Sequence, residues 1–330
     1  MASSLRYGQP WLLCIFVIII VLFISTFLEL HWPRGWINSN YRSSGTDYDF
    51  VIMSSVDSST SDIEFISNWT THWLSTRKRV KFVFFTDDVE KWTKLLPQVD
   101  VMPHTRRMCN TRPTLNGMFE TASKSYRSHF YMFLNRDTFV STDILGATRV
   151  INNGGSTTRK EPVLMIARSM LVPDKQAAWQ ALFPESMSAN SNVKYSRDGS
   201  SDIYMTNSQF EWTNIPSMIA HQTATSLLLT AFSRQQRVVL VDVTNSVNVI
   251  KILRKRESQS SSRQINRCVK NMLIESGIQL DTANICGNIM CVGLQTSREK
   301  GKDIVTSREI ADDCSDCVMT RKDGPSWLPN

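Results

Sequence analysis

Both glycine-rich phosphate loops are missing from this sequence. There is no GxGxxG and no GxxxxGK[ST], which excludes a dinucleotide fingerprint and a P-loop. A zinc pattern is missing too: Cys314-Ser315-Asp316-Cys317 is a lone CxxC with no second pair at metal spacing. Lys and Arg outnumber Asp and Glu, 37 to 30, but the surplus is scattered in clusters such as Arg77-Lys78-Arg79 and Arg254-Lys255-Arg256. Without a basic stripe interleaved with aromatics, a nucleic-acid groove is excluded, and a solvated or anion-facing surface accounts for the charge. No internal repeat is present.

The 330 residues are 42% apolar and 20% charged, enough for a sizeable core in one large domain or two small ones. One long apolar run stands apart. Trp11 to Leu28 carries no charge over 18 residues, and at ~1.5 Å per residue it would be about 27 Å long, enough for a thin bilayer. Trp11 and Trp32 flank it at interfacial positions. A cleavable signal peptide competes with this reading, but Ser25-Thr26-Phe27 makes a poor cleavage site. The run is therefore read as a retained signal-anchor over residues 11–30. It follows a short tail, 1–10, and precedes a polar stem, 31–47. Six of the seven cysteines lie beyond the run (Cys109, Cys268, Cys286, Cys291, Cys314 and Cys317), and they suffice for up to three disulfides in an oxidising lumen. Asn68-Trp69-Thr70 is the one acceptable N-glycosylation sequon.

The body, 48–312, reads as α/β, and a C-terminal tail, 313–330, follows it. Short apolar runs at Asp49–Ser54, Val80–Phe85, Val99–Met102 and Phe130–Leu134 predict strands. Helical spacing predicts helices over Asp62–Ser75, Val89–Leu96 and Pro113–Ser125 between them. Four strands joined by three helices form the pattern of a mostly parallel sheet flanked by helices. Later runs predict strands at Val163–Ala167, Asp202–Met205 and Val238–Val243, with helices at Asp174–Phe183 and Ser226–Phe232. Open α/β sheets place ligand chemistry at the carboxyl ends of their strands. Here those ends offer Ser54-Ser55, Thr86-Asp87 and, after the most aromatic strand, Asn135-Arg136-Asp137. A plain turn role remains open for each.

Taken together, these residues resemble the GT-A-type, nucleotide-diphospho-sugar transferase-like proteins of animals, many of them single-pass Golgi proteins. The resemblance covers roughly Tyr48 to Asp312. It is carried by Pro113-Thr-Leu-Asn-Gly-Met-Phe119 leading into Phe133-Leu-Asn-Arg-Asp137, by Val163 to Arg168, by Asp202-Ile-Tyr-Met205, by Trp212 to Pro216 and by Leu240 to Thr244. It implies a Rossmann-like, GT-A-like fold and a nucleotide-sugar donor. The implied acceptor is a hydroxyl on a glycan, lipid or protein. The implied location is the Golgi or ER membrane, single-pass type II, with a luminal body. Asn135-Arg136-Asp137 would correspond to the family's DxD motif. Asp137 would then hold a divalent metal, manganese or magnesium, that neutralises the anionic diphosphate leaving group. Ser54, Asp87, Asn135 and Arg136 would contact the donor.

Two departures stand out. Where the family often has an acidic residue, this chain reads Ile219-Ala-His-Gln-Thr-Ala-Thr225-Ser226, and where a late His might complete the metal site it has Lys251. Asp202 and His221 remain as candidate catalytic groups. The expectation is a glycosyltransferase; the alternative is a catalytically degenerate member of the same fold that binds a glycan or a protein partner.

Overall fold

The computed structural model describes residues 48–57, 60, 62–77, 79–109, 112–135, 137–153, 161–183, 194–196, 201–253, 262–299, 301–310 and 314. The segments predicted as tail, anchor and stem (1–47), Arg136 and all of the predicted C-terminal tail except Cys314 lie outside the described residues. Among the described residues no helix is long and apolar enough to cross a membrane.

The first half follows the predicted alternation. β1 (Tyr48–Ser55), α1 (Ile63–Thr76), β2 (Val80–Thr86), α2 (Val89–Leu95) and β3 (Asp100–Pro103) form in turn. Asp88 caps α2 by accepting from Lys91 N. A two-residue ribbon of β4 (Arg107–Met108) and β5 (Arg112–Pro113) then precedes α3 (Leu115–Ser125). Pro113 therefore belongs to the ribbon, not to the helix. Thr114 is the N-cap, its hydroxyl accepting from Gly117 N. Next come β6 (Ser128–Leu134), β7 (Thr138–Val140), α4 (Ile144–Asn153), β8 (Val163–Ala167), β9 (Met170–Val172) and α5 (Lys175–Leu182). The chain continues through β10 (Ile203–Asn207), α6 (Thr223–Gln235), β11 (Val239–Asp242) and β12 (Val249–Ile252). It closes with α7 (Ser262–Ser276), α8 (Leu280–Cys286), β13 (Leu294–Glu299) and β14 (Lys302–Ser307).

Nine strands form one sheet in the order β14-β13-β11-β8-β10-β6-β1-β2-β3. β3, β2, β1 and β6 are parallel neighbours, as are β8, β11 and β13. β10 runs antiparallel to both β6 and β8, so the sheet is mixed, not parallel throughout. β14 closes the edge as a hairpin on β13, where Gly301 supplies the positive φ, +76°, that the tight turn requires.

Alternate residues of the central strands fill two separate cores, because both sheet faces are covered. Phe50, Ile52, Phe82, Phe84, Phe130 and Met132 pack on one side with Trp69 and Trp73 of α1. Val51, Met53, Val83, Phe85, Tyr131 and Phe133 pack on the other with Leu115, Met118 and Phe119 of α3. A second sheet, in the order β7-β12-β9, lies against the first core through Phe139, Val140, Val249 and Ile250. The indole N–H groups of Trp69 and Trp73 both donate to the Val140 carbonyl, at 3.1 Å each, and tie this small sheet to α1.

Cys109 is bonded to Cys268 and Cys291 to Cys314, and Cys286 is also disulfide-bonded. The first bridge pins the β4–β5 ribbon to α7. Cys314 of the CxxC pair is thus a disulfide sulfur and not a metal ligand. In the sequon, Asn68 is exposed on α1 while Thr70 is buried, its hydroxyl donating to the Ile66 carbonyl at 2.9 Å.

Candidate functional site

The chain builds outward from β1 through β2 to β3, then returns to place β6 on the other side of β1. That reversal is a topological switch point, where the two directions of winding leave a crevice at the carboxyl ends of the strands. Ser54 ends β1 there, and its Oγ donates to the Leu134 carbonyl of β6 at 3.0 Å. Its hydroxyl joins the two strand ends.

Beyond Leu134 the backbone turns sharply. Thr138 N donates to the Asn135 carbonyl at 3.1 Å, and Asp137 takes a left-handed φ of +59°. Asp tolerates that region better than most residues. Asn135 is buried, and among the described residues its side-chain Oδ1 has no hydrogen-bond partner. A buried carbonyl left in this way costs about 1–3 kcal/mol, so the amide oxygen is set for an acceptor role that no described donor fills.

β10 brings Asp202 into the same place. Ile203 pairs with Leu134 on one side and Ala167 on the other, and Asn135 N donates to the Asp202 carbonyl at 3.0 Å. The Asp202 carboxylate is buried. Ser169 Oγ donates to its Oδ2, and Lys251 Nζ reaches its Oδ1 at 2.5 Å. Lys251 arrives from β12, where it lies opposite Thr138, while its neighbour Ile252 donates from N to the Asp137 carbonyl at 3.1 Å. Asn135, Asp137, Asp202 and Lys251 therefore meet where the two sheets join. Tyr204 lies beneath them, its ring stacked on Phe133 with centroids 6.2 Å apart. Burial, and then the Asp202 charge, pushes its phenol well above the usual range; hydrogen bonds with the Ser226 and Asn135 side chains partly oppose this.

Among the described residues, no group of three or more His, Cys, Asp or Glu side chains could hold a metal ion. Asp202, the second carboxylate at the junction, already holds an ammonium and a hydroxyl. The residues present do not fit a metal centre built from side chains alone. An ion here would draw most of its ligands from phosphate and water.

The other predicted residues are less tightly gathered. Asp87, after β2, is 67% exposed and salt-bridged to Arg107. His221 adopts φ +62° ahead of α6, with its ring 5.2 Å from that of Phe133. Thr225 is buried, and its hydroxyl donates to the Ile219 carbonyl at 2.5 Å. Three contributors carry no local signal in the sequence. Ser169 and the pairing role of Lys251 act across 33 and 49 residues to reach Asp202. His104, after β3, lies 3.3 Å from Ser55 Oγ through Nε2, while its buried Nδ1 has no hydrogen-bond partner among the described residues. Burial holds this imidazole below its usual range. Asp87 and Asp57 work against that lowering, and Arg107 adds to it.

No family model matches the chain, and no curated protein matches it. Among solved structures, it is similar to glucosyl-3-phosphoglycerate synthase from Mycobacterium tuberculosis. In the complex with Mn2+, uridine-diphosphate-glucose and phosphoglyceric acid, the identity is 12%, over 85% of this chain and 94% of that one, with a TM-score of 0.40. In the complex with Mg2+ and uridine-diphosphate, the identity is 10%, over 84% and 93%, with a TM-score of 0.39. S. aureus TarS is 13% identical over 69% of this chain and 39% of its own length, with a TM-score of 0.38.

Proposed function

We propose that this protein is a GT-A-like glycosyltransferase that moves a sugar from a nucleotide-diphosphate donor to a hydroxyl acceptor. One observation carries the reading: Asn135 and Asp137 follow β6 at the switch point, and the buried amide oxygen of Asn135 has no hydrogen-bond partner among the described residues. The nucleoside would lie along the ends of β1 and β2, near Ser54 and Asp87, and the diphosphate beside Asn135 and Asp137. A manganese or magnesium ion would take one carboxylate, Asp137, from the chain. His221 is the proposed base for the acceptor hydroxyl, because both carboxylate oxygens of Asp202 already receive donors. The acceptor class, a glycan, lipid or protein, follows from the same resemblance. We also place the body in the lumen of the Golgi or ER behind the anchor at 11–30; the disulfides support an oxidising compartment.

The test is a thermal-shift and calorimetric titration with a panel of nucleotide sugars, with and without Mn2+. Stabilisation by a donor is expected. Failure of every donor to bind at millimolar concentration, in either condition, would overturn the reading. Asp137→Asn is the informative variant, since Asn tolerates the left-handed φ that Ala would strain. It should abolish whatever enhancement Mn2+ gives.

Thr225 favours a second reading. The position where the resemblance expects an acid presents a buried hydroxyl already bonded to backbone, so a donor- or glycan-binding protein without transferase activity fits that feature. Donor binding without donor hydrolysis or transfer to any acceptor would select it.

A further inference from the structure

Resting on the glycosyltransferase reading, we infer that Lys251 is a donor-binding residue. Its ammonium holds the diphosphate, so that donor binding survives removal of divalent metal. Three observations converge on it. The Lys251 side chain is 37% exposed whereas its partner Asp202 is 5% exposed, so the carboxylate is sealed on the protein side and the cation faces outward. β12 sets Lys251 opposite Thr138, the residue after Asp137, and the Ile252 amide binds the Asp137 carbonyl, which fixes the lysine backbone at the switch point. Ser169 holds the other oxygen of Asp202, so the carboxylate that positions the ammonium is itself positioned.

An ammonium has three N–H donors. Asp202 engages one, which leaves two for phosphate oxygens. Among the described residues no metal-ligating cluster of three side chains exists to neutralise the diphosphate in place of this cation. A divalent ion on Asp137 would add to this cation and not replace it. The bond is a charge-assisted contact between a fixed cation and an anionic oxygen, and it needs no exchangeable ion. Asp202 and Ser169 act here as positioning residues.

The experiment is calorimetric titration of the whole protein with UDP, GDP, CDP, ADP and dTDP, in excess EDTA and again in Mn2+. EDTA should weaken the bound nucleotide by less than about tenfold, and Lys251→Met should weaken it by more than about tenfold in both buffers. Lys251→Arg, which keeps the charge, should recover part of the loss. Because Lys251→Met strands a buried carboxylate and could fail to fold, the double variant Lys251→Met/Asp202→Asn is measured beside it. That variant should fold and show the same loss. Binding that disappears in EDTA overturns the inference and leaves the glycosyltransferase reading intact. Binding in EDTA that the Lys251 variants leave unchanged also overturns it. Binding of none of the five nucleotides in either buffer overturns the glycosyltransferase reading, and the role of Lys251 falls with it.

Discussion

Asp202 is the residue whose environment decides what its neighbours do. An acidic side chain at the start of a strand suggests a base, yet in the fold both its oxygens are held, by Lys251 and Ser169. The two ends of the pair differ in exposure, which predicts an asymmetry. Lys251→Met leaves an uncompensated buried carboxylate and should cost about 3 kcal/mol, near the low end for buried pairs because the lysine is partly in water. Asp202→Asn leaves an ammonium that can turn to solvent and should cost less, about 1 kcal/mol. Urea denaturation of both single variants and the double variant closes the cycle; equal costs would refute the asymmetry. His104 supplies a pH prediction. Its folded pKa lies below the ordinary 6.5, so below that value the unfolded chain takes up a proton that the folded chain refuses. Stability should therefore be full above about pH 6.5 and fall as the pH drops toward the depressed value, and His104→Gln should flatten that fall in thermal melts.

At the scale of elements, the helices and strands that organise the site were legible where one face is apolar and a stop signal follows. Trp69 and Trp73 share a face of α1, and the aromatic run of β6 ends in a polar triplet. Other elements were less so. α4 carries Ile144, Ala147 and Ile151 at helical spacing, a signal present in the sequence though followed by a Gly- and Ser-rich stretch. α7 is mostly polar; Cys268 and Met272, one turn apart, are buried in the core, with Val269 and Leu273 packed against it. β12 is four residues long and gains meaning only between β7 and β9. The C-terminal helices lock together at Gly287, where an added Cβ would meet the Leu227 carbonyl oxygen of α6 at 2.1 Å. Gly287→Ala should cost about 1–3 kcal/mol, visible as a lower melting temperature, because the obstructing atom is backbone and cannot step aside. The Cys109–Cys268 bridge closes a separation of 159 residues. Replacing both cysteines by serine should destabilise the fold by about 2–5 kcal/mol in denaturant titrations.

For the whole molecule, the packing of α1 against the core limits when its sequon can be read. Thr70 is buried and its hydroxyl is bonded within α1, although Asn68 beside it is exposed. An enzyme that must read the threonine can do so only before α1 packs. When the chain is made through the secretory pathway, Asn68 should be glycosylated during synthesis. Protein refolded from an unglycosylated source should resist modification at that site. Mass spectrometry with and without glycosidase, on wild type and Asn68→Gln, checks this; efficient modification of the refolded protein would count against it.

Sequence alone determined the class of the fold and the strand ends at which the site is proposed. Hydrophobic alternation, apolar run length and strand-end carboxylates are local properties, and they identified four parallel strands and Asn135–Asp137. Tertiary structure decided the rest. The reversed direction of β10 and the meeting of Asp202 with Ser169 and Lys251 depend on contacts 33 and 49 residues apart, and the seating of Lys251 beside Asp137 on strand register in a second sheet. No local pattern encodes such contacts, because each joins residues far apart in sequence that come together only once both sheets have closed, and only there does the Asp202 carboxylate gain the partners that offset its burial.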